Sequence, residues 1–111
     1  MPDWLRRLTR LEHLVWRGTD TTQLPAWIGE LRALRTLRVE NCPLTSLPPE
    51  LSELAQLRRL GMCDTWIERL NPESLPGGLQ EIDLAGSRHL APRSLPQLRQ
   101  ALPRMRIRGV G

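Results

Sequence analysis

Leucines recur through this chain at a spacing of about 23 residues, and that spacing constrains the fold more than any other feature. Five segments carry it: Leu11-x-x-Leu14-x-Trp16, Leu34-x-x-Leu37-x-Val39, Leu57-x-x-Leu60-x-Met62, Leu79-x-x-Ile82-x-Leu84 and Leu102-x-x-Met105-x-Ile107. Within each, apolar residues at the fourth and sixth places alternate with polar ones, the period of a strand with one buried face. No such segment can bury its own leucines. Stacked side by side, about 4.8 Å apart, five of them form one continuous core.

The stretches between the strands repeat as well. Leu24-Pro25-Ala26-Trp27-Ile28-Gly29-Glu30-Leu31 and Leu47-Pro48-Pro49-Glu50-Leu51-Ser52-Glu53-Leu54 superimpose when shifted by one repeat. Proline early in the return suits the first turn of a helix, where no N–H is needed and φ is already set. Thr19, Cys42, Thr65 and Ser87 share the ninth place of four repeats, where a hydroxyl or thiol can bond turn backbone left unpaired by the strands.

The best copy, Leu34-Arg35-Thr36-Leu37-Arg38-Val39-Glu40-Asn41-Cys42-Pro43-Leu44-Thr45-Ser46-Leu47-Pro48-Pro49-Glu50-Leu51-Ser52-Glu53-Leu54, resembles a leucine-rich repeat of the 23-residue class. Bacterial effector versions are closest in character, because they too place Cys or Thr at the ninth position and use Leu-Pro returns. The resemblance implies an α/β leucine-rich-repeat solenoid. Its concave face would be a parallel sheet of about five short strands, with short helical, 3₁₀ or extended returns on the convex side. It also implies protein recognition, the common use of this fold.

One domain over residues 1–111 is expected, with 1–10 the return of an incomplete first repeat and repeats starting near 11, 34, 57, 79 and 102. Pro72, Pro76, Gly77 and Gly78 predict an extended third return. Leu90, Leu95, Leu98 and Leu102 approach a helical period, so 94–101 is expected as a short α-helix. Residues 2–8 match 25–31 nearly place for place, and no amphipathic capping helix precedes them. The expectation is a module of a longer protein, or open ends that meet a partner or a second copy.

All 16 basic residues are arginine, and Lys, Phe and Tyr are absent. A GC-rich genome accounts for all three absences, whereas escape from ubiquitin tagging would account for lysine alone. A net charge of +4 and a pI near 10.8 raise the question of nucleic acid. The arginines are interspersed with 12 acidic residues and form no continuous stripe with aromatics, so nucleic acid is not the expected partner. Cys42 and Cys63 lie on opposite faces in this reading and should not pair. There is no apolar run of signal-peptide or membrane-spanning length and no Asn-x-Ser/Thr acceptor. The expected location is the cytoplasm, or a host cell reached without a cleavable leader.

Third, fifth and seventh places of each repeat face solvent on the concave side. They read His13, Thr36, Arg59, Glu81, Arg104; Val15, Arg38, Gly61, Asp83, Arg106; and Arg17, Glu40, Cys63, Ala85, Arg108. Gly61, Cys63 and Ala85 make a patch of small side chains flanked by Arg38, Arg59, Glu40, Glu81 and Asp83, a candidate socket for a protein partner. The competing reading has these charges offsetting one another as Arg38/Asp83 and Arg59 with Glu81 or Glu40. Arg38 and Arg59 would also lower the Cys63 pKa.

Trp16 is expected in the core. Trp4, Trp27 and Trp66 are expected part-exposed, packing between repeats or forming a second contact patch. Arg104, Arg106 and Arg108 read as protection of an edge strand. Together with Arg6, Arg7 and Arg10 they also allow an anionic-polymer binder. No catalytic constellation, metal set or cofactor motif is apparent, since His13 and His89 are isolated and Gly77-Gly78 lacks the context of a phosphate loop. The function expected is a non-enzymatic protein-binding module. The alternative is the substrate-recognition part of a larger effector, such as a ubiquitin ligase.

Overall fold

The computed structural model describes residues 2–91 and 93–109. Alternating burial produces five strands: β1 (His13–Arg17), β2 (Thr36–Glu40), β3 (Arg59–Gly61), β4 (Glu81–Asp83) and β5 (Arg106–Arg108). They pair in parallel, in chain order, as one sheet. Leu14, Leu37, Leu60 and Ile82 lie opposite one another across four strands, so the fourth-place leucines form a continuous inner spine.

Three returns fold as 3₁₀ turns, Asp3–Arg7, Ala26–Glu30 and Pro49–Glu53. Pro2, Pro25 and Pro48 stand just before these turns with extended ψ near 140–150°. The ring therefore fixes φ for the entry into each turn, one place earlier than a first-turn proline would. Each turn sends one apolar side chain inward, Leu5, Ile28 and Leu51, to meet the spine. Leu31, Leu34, Leu54 and Leu57 complete a core shielded fully from solvent.

The return between β3 and β4 is mostly extended but contains one 3₁₀ turn, Pro72–Ser74, capped by the Asn71 side chain, which accepts from the Glu73 N–H at 3.0 Å. That cap gives the prolines a turn after all. The return between β4 and β5 holds the one α-helix among the described residues, α1 (Ser94–Ala101), over the span expected for it. Leu98 points from α1 into the core and Ser94 Oγ accepts from the Leu70 N–H at 3.5 Å.

Strand β5 departs from the expected register by two residues. Glu81, Ile82 and Asp83 pair with Arg106, Ile107 and Arg108, not with the run starting at Arg104. An α-helix advances about 1.5 Å per residue against about 2.0 Å for a 3₁₀ turn, so crossing the convex side takes more chain. The concave columns for the last repeat therefore shift: Arg106 stands beside Glu81 and Arg108 beside Asp83.

The ninth-place column is a backbone-satisfying ladder. Thr65 Oγ1 donates to the Met62 carbonyl at 3.1 Å, Ser87 Oγ donates to the same oxygen, and Thr19 Oγ1 accepts from the Thr21 N–H at 3.4 Å. One place earlier, Gly18, Asn41, Asp64 and Gly86 all have φ between 51° and 75°. This left-handed column turns the chain off each strand, and Gly, Asn and Asp are the residues that tolerate it. Among the described residues no helix is long and apolar enough to cross a membrane.

Candidate functional site

Parallel pairing sets the outward side chains of β1–β5 in rows across the sheet. Two groups form on that face, one toward each end of the strands.

Toward the strand ends, the Arg38 guanidinium donates through Nε and Nη2 to Glu40 Oε2, at 3.0 and 2.7 Å. This bond raises the Arg38 pKa against an opposing push from burial. The partner expected from sequence, Asp83, is instead held locally, its Oδ1 accepting from the Ala85 N–H at 3.1 Å. Glu40 lies two residues along the same strand and hence on the same face as Arg38, so the nearer carboxylate takes the guanidinium.

Arg38 also changes the expected socket. Its aliphatic stem lies over Gly61, where a Cβ would sit 3.3 Å from Arg38 Cγ, and Gly61 is buried. The lack of a side chain at Gly61 therefore leaves room for the stem of Arg38 from the same sheet. Cys63 is half-buried and Ala85 exposed beside it. The Cys63 thiol is pushed up, first by burial and then by Asp83 and Glu40, and Arg38 opposes this only as the smallest contribution. This is opposite in sign to the effect expected of Arg38 and Arg59, because burial outweighs the arginines and Glu40 already engages Arg38. A thiol kept protonated is a poor nucleophile.

Toward the strand starts, Arg59, Glu81 and Arg106 occupy one row on β3, β4 and β5. With Gln80 and Arg104 they line a cleft of about 350 Å³. The shifted β5 register gives Glu81 a different companion from the one expected, Arg108 Nη1 at 3.6 Å. Among the described residues Arg59, Arg104 and Arg106 have no ion-pair partner. The two groups together contain every candidate residue on β2–β4, but as a cation–carboxylate pair over Gly61 and a separate arginine cleft, not as one socket.

Aromatic side chains lie elsewhere. Trp16 is half-buried, donating from Nε1 to Thr21 Oγ1 at 2.9 Å, so its polar edge keeps it from the full core position expected. Trp66 is 56% exposed and tilted against His89, with ring centroids 5.7 Å apart, and Trp4 is 60% exposed on the turn Asp3–Arg7 ahead of β1. Trp27 is half-buried against the core. Cys42 and Cys63 are both free.

A family model described as Leucine Rich Repeat matches residues 33–54, the segment singled out above as the best repeat. Among solved structures, a leucine-rich-repeat protein of Leptospira interrogans superimposes with a TM-score of 0.86 at 30% sequence identity. The match covers 96% of this chain and 27% of that one, so this chain spans about a quarter of the length of the protein it resembles. No curated protein matches.

Proposed function

We infer that this chain, a leucine-rich-repeat solenoid, is a recognition module whose concave strand face binds a partner protein. Folds of this type generally mediate protein–protein interaction, and the particular face is our reading. The observation that carries it is the contrast between the two sides of the sheet. Inward positions are uniformly apolar, whereas outward positions present charges of both signs together with half-buried Cys63 and exposed Val15. Such a surface orients a partner through charge and excludes water over its smaller side chains.

Arg38, Glu40, Gly61, Cys63, Asp83 and Ala85 form the proposed centre, with Arg59 and Glu81 at its margin. The partner is a protein of the native organism or of its host. The test uses the partner captured on the immobilised chain and compares two variants. Arg38→Glu with Asp83→Arg alters the hollow side, and Trp4→Ser with Glu50→Arg alters the convex side. The first should lose the partner and the second retain it, while a reversed result would transfer recognition to the convex returns.

A further inference from the structure

We propose that the cleft of Arg59, Arg104 and Arg106 seats an extended, carboxylate-bearing segment of the partner protein, read as acidic side chains spaced three residues apart. This rests on the concave-face reading and adds the chemistry of what is bound.

The cleft is cationic because its neighbours already have companions. Arg38 is engaged by Glu40 and Glu81 by Arg108, at 2.7 and 3.6 Å. That leaves the guanidinium groups of Arg59, Arg104 and Arg106 as the charge presented to a ligand within a cavity of about 350 Å³. A guanidinium is a rigid fork of donors that matches a carboxylate in two parallel bonds. Gln80, exposed on the cleft wall, supplies an amide that can both donate to and accept from a peptide backbone.

Spacing supplies the register. Arg59 and Arg106 stand in one row two strands apart, which is roughly 10 Å across a sheet. A polyproline-type chain rises about 3.1 Å per residue with three residues per turn, so side chains three apart project to the same side roughly 9 Å from each other. Two carboxylates so placed would each meet one arginine.

A phosphate polymer suits this face less well. Glu81 lies between the two arginines, and Glu40 and Asp83 follow on the adjoining rows, so a continuous run of anions would meet carboxylates on either course. No tryptophan stands on the outward rows of β1–β5 to stack a base.

The probe is a capped peptide of three Glu-Pro-Pro units, titrated at low salt against the full chain by NMR. An isomer with its three glutamates contiguous and an oligothymidylate of equal charge are titrated alongside. The repeating peptide should bind best, and Arg59→Gln or Arg106→Gln should each weaken it about tenfold. Arg7→Gln and Arg99→Gln, on returns, should leave it within about twofold. Equal binding of the isomer, tighter binding of the oligothymidylate, equal losses at Arg7 and Arg99, or no binding would each overturn the proposal. The captured partner separates this failure from failure of the concave reading. Loss with Arg38→Glu and Asp83→Arg, but not with Arg59→Gln and Arg106→Gln, removes the acidic cleft alone. Indifference to all four removes both.

Discussion

Replacing Leu60 with alanine tests the stacked spine at its centre. Leu60 is 1% exposed and lies between Leu37 and Ile82, both fully buried, on the middle strand of five. Losing most of a buried leucine side chain forfeits roughly 2–3 kcal/mol of transfer free energy. Strands pinned on both sides cannot close the space left behind, so a cavity penalty adds to this and the total reaches about 3–4 kcal/mol. With a urea slope of about 1.5 kcal/mol per M, the unfolding midpoint should fall by roughly 2 M, read from tryptophan fluorescence and from far-ultraviolet dichroism. Leu8→Ala is the control, because Leu8 is 41% exposed and its truncation should cost less than about 0.5 kcal/mol. A loss below about 1 kcal/mol at Leu60, or one no larger than that at Leu8, would refute the spine.

The left-handed column predicts a ranked pair. Gly18 has φ 67° with nothing within 4 Å of an added Cβ, so Gly18→Ala should cost about 1 kcal/mol from backbone strain alone. At Gly86, φ is 75° and a Cβ would lie 3.0 Å from Asp64 Cγ, so Gly86→Ala should cost roughly 2 kcal/mol. Thermal melts giving equal losses would contradict the close approach of Asp64. For Cys63, in a Cys42→Ser background, the alkylation rate should rise with pH through a midpoint above the ordinary cysteine value, and Asp83→Asn should speed the reaction near pH 8. A midpoint at or below the ordinary value would show that Arg38 outweighs burial and Asp83.

Much of this architecture is written in the one-dimensional pattern. Leu37, Leu60 and Ile82 recur at a fixed interval because each repeat must deliver a side chain to the same inner line, and α1 is legible because its leucines change period. The β5 register is not legible, because it depends on how far the preceding return travels per residue, and a motif aligned on Leu102 and Met105 assumes equal travel. The course of Arg38 over Gly61 is not legible for a different reason. Sequence columns show which residues share a face but not the path of a long side chain, and Arg38 lies across the neighbouring strand to reach Glu40. The arginine cleft follows from both points: the slipped register sets Arg106 beside Glu81 and brings Arg108 within reach of it. The turn column also carries a sequence signal, since Gly18, Asn41, Asp64 and Gly86 recur at the repeat interval and share a tolerance for positive φ.

The central claim is that recognition belongs to the hollow strand face. Calorimetric titration of the captured partner against the two paired variants described above tests it most directly. Arg38→Glu with Asp83→Arg should weaken binding by about 2 kcal/mol or more, a loss of roughly thirtyfold, and Trp4→Ser with Glu50→Arg should change it by less than about 0.5 kcal/mol. Full affinity in the first variant together with a thirtyfold loss in the second would contradict the account.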